Sequence, residues 1–370
     1  PYMPTLQSLM DSGITFDNLW SYPVCTPTRA SILTGKYGVN TGILEVGDLI
    51  STSETSLQSY INSNTNNDYA TAIIGKWHLS NNAADPITMG IDYFAGIVNG
   101  GVADYFDWNF NENGIPSNST TYTTTKFTNT AIDWVADQTK PWFLWLAFNA
   151  PHTPFHLAPT NLHSQGNLPT DAASINANPI PYYMSAIEAM DAELGRFLGS
   201  LSSEERANTV IIFIGDNGTP GKVAQNPYSR LKVKGSLYQG GVNVPMIVSG
   251  SNVNRLGERE DALIHTTDLF ATIASITGVT VSEIYNSKSF YPLFTAAANE
   301  DRSYVYTEIL DGFAIRNAMY KLMKYDNGAE EFYNLVMDPY EQSNLIGTTL
   351  SAEAANEKAN LISEAMAIRN

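Results

Sequence analysis

The sequence predicts an α/β protein: a mainly parallel sheet sandwiched by helices, followed by a smaller C-terminal subdomain of antiparallel strands and one helix. Residues 70–74, 142–148, 209–214 and 244–248 are continuous apolar runs, the pattern of strands covered on both faces. Helical patterns at 4–12, 56–62, 128–136, 181–201 and 267–277 lie between and around them, and Gly278 stops the last. Strands that alternate with helices build a parallel sheet. Beyond Gly278 the texture changes to short strand-like pieces at 304–309, 313–316 and 320–325. Turn signals at Asp311-Gly312 and Asn327-Gly328 accompany them, and a last helix follows at 351–368.

A chain of 370 residues exceeds a single core, so a larger domain at 1–299 and a subdomain at 300–370 are expected. The polar stretch 111–125 reads as a surface loop. With 37 acidic against 20 basic side chains the formal charge is −17, which argues against nucleic acid or an anionic membrane as partner. An anionic substrate must then be drawn by a local field. No apolar run approaches the roughly 20 residues of a spanning helix. One cysteine excludes an internal disulfide. The chain opens at Pro1 in mid-flow, which reads as a processed or truncated product. Abundant Asn, Ser and Thr with little Lys and Arg point to an exported protein, periplasmic or extracellular.

The segment from Cys25 to Lys36 is the most informative. Thr26 is suited to an N-cap, Pro27 to the first helical position and Gly35 to the end, which puts Cys25 just ahead of a helix N-terminus. Such an end offers free backbone N–H groups and partial positive charge to an oxyanion of sulfur or phosphorus, and Arg29 one turn in adds a charged donor. A lone cysteine taken by itself is more often a small buried core residue. Lys76 and His78 follow a buried strand at its carboxyl end, the edge where open α/β sheets place their sites. Asp216-Asn217-Gly218 ends another strand and reads either as a tight turn or as oxygen ligands for a hard divalent cation. His152 lies between Pro151 and Pro154, expected to hold the loop extended, with His156 as a nearby competitor.

Cys25-x-Pro27-x-Arg29 with Leu33-Thr34-Gly35 resembles the signature of the type I sulfatases of the alkaline phosphatase-like superfamily. Similar blocks follow in family order: Gly75-Lys76-Trp77-His78, Asn149-Ala150-Pro151-His152, Gly215-Asp216-Asn217-Gly218, Lys234-Gly235-Ser236-Leu237-Tyr238, and Asp338-Pro339-Tyr340-Glu341 with Asn344-Leu345. The resemblance implies a sulfuric ester hydrolase in which a separate formylglycine-generating enzyme converts Cys25 to formylglycine. The hydrate of that aldehyde carries two hydroxyls, one to attack sulfur and one to expel sulfate, so that one difficult step becomes two easier ones. By the same resemblance Lys76 and Lys234 contact the sulfate, His78 helps collapse the sulfated intermediate, and His152 protonates the leaving oxygen. Asp216, Asn217 and the modified Cys25 would ligate Ca²⁺ or Mg²⁺, which binds the sulfate and eases ionisation of the attacking hydroxyl. His265 and the Asp338 block are expected to be structural.

The family pattern has two adjacent aspartates ahead of the cysteine block, on a first strand. Neither Asp11 nor Asp17 forms such a pair, and two ligands cannot furnish the six or more oxygens of a Ca²⁺ site. This reading expects the pair, and a central strand with it, to be encoded ahead of Pro1. The substrate expected is a sulfated carbohydrate. A phosphonate or phosphate diester hydrolase of the same superfamily, and an inactive glycan-binding relative, stand as alternatives.

Overall fold

The computed structural model describes residues 1–297 and 302–370, so the expected boundary at 299/300 lies outside the described residues. The larger body contains strands β1 (Gly13–Trp20), β2 (Ala70–Lys76), β3 (Tyr93–Ile97), β4 (Trp108–Glu112), β5 (Ile115–Ser119), β6 (Trp142–Ala147), β7 (Val210–Ile214), β8 (Asn243–Gly250), β9 (Glu258–Glu260) and β10 (Ile264–His265). A short hairpin, β11 (Glu283–Ile284) and β12 (Ser287–Lys288), follows. One sheet has the order β5-β4-β3-β2-β6, and a second has β10-β1-β8-β7 with β9 also against β1. The α/β class is as expected, with mixed sheets: β2 is parallel to β3 and β6, whereas β8 runs antiparallel to both β1 and β7.

The stretch expected to be a loop at 111–125 is instead largely a hairpin and a helix. Glu112 pairs with Ile115 around Asn113 (φ 48°) and Gly114 (φ 87°), the two left-handed residues that a tight two-residue turn requires. The helix Thr123–Ala136 then starts earlier than its apolar periodicity indicates. Thr267 does not cap the helix Asp268–Ile276 through its side chain; the Asp268 carboxylate instead accepts the His265 N–H at 2.9 Å.

The helix Cys25–Thr34 is buried along its whole length. Ala30 and Leu33 pack with Ile73, Trp77 and Phe94, while Ile32 joins Phe16, Leu269 and Phe294. Its polar residues tolerate burial because their hydroxyls return to local carbonyls: Thr28 to Val24 at 3.0 Å, Ser31 to Thr28 at 2.8 Å and Thr34 to Ala30 at 2.7 Å. Gly35, at φ 67°, ends the helix as expected.

β6 pairs only with β2, and β7 only with β8, among the described residues. Each therefore has one open edge, and residues 142–146 and 210–214 are only half-buried although nearly all are apolar. Central strands of this composition are normally covered on both faces and paired on both sides.

The C-terminal meander β13 (Val305–Ile309), β14 (Gly312–Arg316), β15 (Tyr320–Tyr325) and β16 (Glu330–Asn334) is antiparallel throughout. Successive side chains face opposite sides. Tyr306, Ile315, Leu322 and Phe332 pack on Leu361 and Ala365 of the final helix Ala352–Arg369, capped by Ser351. Val305, Ala314, Met323 and Tyr333 pack on Trp20, Leu237 and Val242 of the larger body. At about 1.5–3 kcal/mol for each large apolar side chain buried, this shared core ties the subdomain to the segment that follows Lys234.

Candidate active site

The chemistry-bearing residues converge at the carboxyl ends of the strands. Cys25 follows β1 and is the first residue of its helix, with Val24 in the cap position, so the helix begins earlier than Thr26 and Pro27 predict. The Thr26 hydroxyl is free of capping and lies 3.5 Å from both ring nitrogens of His78, a packing contact rather than a directed hydrogen bond. Cys25 is buried and unpaired.

Arg29 connects the elements. Its Nη1 donates to the carbonyl of Lys76 at 2.6 Å, and its Nη2 lies 3.4 Å from Asp216 Oδ2. Lys76 ends β2, where Gly75 (φ 121°) lets that strand approach the Ala147 carbonyl too closely for any Cβ. His78, at φ 55°, is held by its N–H on the Val98 carbonyl at 2.9 Å.

The His152 loop is a turn rather than the expected extended piece: the His152 N–H returns to the Asn149 carbonyl at 2.9 Å, and Tyr105 donates to the His152 carbonyl at 2.6 Å. The Nδ1 of His152 faces the Thr153 carbonyl at 2.9 Å and therefore carries the proton, leaving Nε2 to act as acid or base. His156 is occupied at both nitrogens, by the Pro154 carbonyl and the Tyr122 hydroxyl, and stacks on Tyr105. That competitor is a packing residue. His265 is fully buried between Tyr22 and Tyr37. Tyr105 and Trp108 are buried in the core.

The cluster is cationic. Burial, reinforced by the Arg29 guanidinium, pushes the Lys76 ammonium down to about 8. Burial and then the Lys76 and Arg29 charges push His78 down to about 3, and burial with Lys76 pushes His152 down to about 4. Burial opposes the charge of Asp216, but Arg29, Lys76 and Lys234 outweigh it and hold its carboxyl below the ordinary range. Lys234 is half-buried, its N–H bonded to the Thr219 carbonyl at 3.1 Å, and it shares this field. Lys232 leaves the cluster and donates to the Glu341 carbonyl.

Asn217 presents a buried amide whose Oδ1 and Nδ2 have no partner among the described residues. With the Asp216 carboxylate beside it, the pair fits a hard oxygen-seeking cation in kind. Gly218 is required because a Cβ there would lie 2.1 Å from the Gly240 carbonyl; its backbone is pressed against the Lys234 segment rather than forming a hairpin turn. Sequence reasoning missed Gly100 and Gly101, whose bare Cα atoms back the rings of His78 and His152. It also missed Tyr183, close to Asp216 and Thr219. An isolated Gly-Gly in a loop carries no signal of what it faces.

Two family models cover the chain: Sulfatase over residues 1–279, and N-sulphoglucosamine sulphohydrolase, C-terminal, over residues 231–367. The uncharacterized sulfatase YdeN of Escherichia coli (strain K12) is 29% identical over 320 residues, covering 75% of this chain and 54% of its own length. Arylsulfatase J of Mus musculus is 26% identical over 304 residues, covering 74% of this chain and 48% of its own. The chain thus spans about half the length of these relatives. Among solved structures, Ps i-CgsB in complex with k-i-k-neocarrahexaose superposes with a TM-score of 0.82 at 23% identity, over 100% of this chain and 88% of that one. The order of the motifs, the convergence of their side chains on one strand edge and the family match over residues 1–279 lead to one conclusion: the chain belongs to the sulfatase family.

Proposed function

We propose that this protein hydrolyses a sulfate ester, with Cys25 as the precursor of a formylglycine nucleophile. The observation that carries the reading is the placing of Arg29, Lys76 and Lys234 with two neutral imidazoles around the N-terminus of the Cys25 helix. Lys76 and Lys234 bind the sulfate oxygens, Arg29 holds the helix to the end of β2, and the helix N-terminus adds its partial charge. His152 Nε2 serves the leaving oxygen, and His78 takes the proton that frees the product. Both imidazoles are neutral in this cationic field, and the negative charge of a bound ester raises them toward the protonated form that an acid requires. Asp216 and Asn217 would hold the divalent cation, Ca²⁺ or Mg²⁺, which supplies charge for the sulfate oxygens and for the attacking hydroxyl.

The open edges of β6 and β7 support the expectation of a further strand carrying the remaining acidic ligands. The reading extends to a carbohydrate sulfate as substrate, supported by the neocarrahexaose complex of Ps i-CgsB. It extends also to export, supported by the composition alone.

The test combines mass analysis of the tryptic peptide ending at Arg29 with turnover of an aryl sulfate and an aryl phosphodiester by metal-loaded enzyme. The expected result is an aldehyde at position 25 and a strong preference for the sulfate. Unmodified thiol in fully active protein, or preference for the diester, would overturn the proposal.

A further inference from the structure

The Asp338 block is the motif that no catalytic role absorbs, and its Glu341 is almost fully buried, at 1% exposure and φ 56°. Its carboxylate meets the ammonium of Lys321, which is itself 0% exposed. Such a pair is poorly explained by stability, because two charges lose their hydration and well-packed apolar residues do as well or better.

Its contacts indicate another reason. Lys321 Nζ donates to the Leu237 carbonyl at 2.6 Å, and Glu341 Oε2 accepts the Gln239 N–H at 2.6 Å. The Glu341 carbonyl accepts from Lys232 Nζ. All three reach the segment 232–239 from the C-terminal meander and its following loop. The middle of that segment points the other way: the Lys234 N–H meets the Thr219 carbonyl at 3.1 Å, and the Gly235 N–H meets the Pro23 carbonyl at 2.9 Å. Lys234 therefore sits at the apex of a loop whose feet are gripped by the subdomain and whose tip lies between the turn after Asp216 and the turn before Cys25.

We propose that the buried Lys321–Glu341 pair is a positioning device for Lys234, so that the C-terminal subdomain sets the affinity of the sulfate pocket without touching substrate. This rests on the sulfate-binding role given to Lys234 above. Directed hydrogen bonds, to the backbone of Leu237 and Gln239 at one foot and from the Lys232 side chain at the other, restrict the loop in a way that apolar packing does not, because packing tolerates small slips.

The test is a double-mutant cycle on the active, metal-loaded enzyme with an aryl sulfate, inorganic sulfate serving as competitive probe. The paired replacement K321M/E341M removes both charges together and so avoids leaving one buried alone. KM and the inhibition constant for sulfate are expected to rise about tenfold with kcat changed far less, and the same replacement in a Lys234→Ala background should add almost nothing. Lys232→Met, which releases one foot and keeps the pair, should give a smaller rise in KM, again absent in the Lys234→Ala background. It serves if the paired variant does not fold. Unchanged sulfate affinity, or a loss that adds in full to that of Lys234→Ala, overturns the proposal. A Lys234→Ala enzyme with normal KM overturns it too, and does so through the role of Lys234 rather than through the pair.

Discussion

The guanidinium of Arg29 donates to the backbone carbonyl of Lys76 at 2.6 Å, so the helix that begins with Cys25 is fastened to the end of the strand that delivers Lys76 and His78. The same group reaches Asp216 at 3.4 Å. A lysine cannot span both with one ammonium. Arg29→Lys is therefore expected to lower kcat/KM by about 100-fold and stability by about 1–3 kcal/mol. Aryl sulfate kinetics and urea unfolding of the same preparation check this; a loss under threefold in kcat/KM would show that the link is dispensable.

The alkaline limb of activity should belong to Lys76. With its ammonium pushed down to about 8 by burial and Arg29, the free enzyme loses this charge as pH rises through that value, and kcat/KM falls with it. The stability contribution has the opposite slope. Between about 8 and the ordinary lysine range the unfolded chain holds more protons than the folded one, so this group makes the protein more stable as pH rises across that window. Lys76→Met should abolish both dependences, measured as a pH–rate profile and as thermal midpoints from pH 7 to 10. A limb unmoved in the variant would assign it to another group.

His152 is expected to titrate upward when sulfate binds. In the free protein burial and Lys76 push it down to about 4, and an anion placed beside Lys76 and Lys234 cancels part of that field. Histidine NMR with and without inorganic sulfate should show the shift at His152 and none at His156, which is enclosed by Tyr105 and Tyr122. Equal movement of both resonances would argue against a sulfate seated at the cluster.

Gly100→Ala should separate activity from stability. The added methyl would lie 2.5 Å from His78 Nε2, and the ring is the part able to yield. A displaced ring lowers kcat by about 10- to 100-fold, while the loop backbone is left in place. Near-normal turnover with a large fall in the thermal midpoint would reverse this account.

Asn217→Leu should have opposite effects on fold and function. The Asn217 amide is buried without a partner among the described residues, an arrangement that typically costs about 1–3 kcal/mol, so the apolar replacement of similar shape should stabilise the protein in chelator. Turnover and stabilisation by added Ca²⁺ should both be lost. A variant that keeps its Ca²⁺-dependent rise in thermal midpoint would remove Asn217 from the ligand set.

Much of this protein is readable from local chemistry. Continuous apolar runs mark β2, β6, β7 and β8, of which β2 and most of β8 are buried while β6 and β7 are half-buried, and Gly35 marks the end of the Cys25 helix because a left-handed cap favours glycine. The spacing of Cys25, Pro27 and Arg29, and the order of the blocks containing Lys76, His78, His152, Asp216 and Lys234, single out the residues of the candidate site. What only tertiary structure decided are the relations across distant segments. These include the antiparallel run of β8, the enclosure of His156 by Tyr105 and Tyr122, the glycines behind the two imidazoles, and the hold of Glu341 on the Lys234 loop. The physical reason is range: propensity and periodicity act within a few residues, whereas strand direction, ring surroundings and buried ion pairs depend on which distant side chains are pressed together when the core closes.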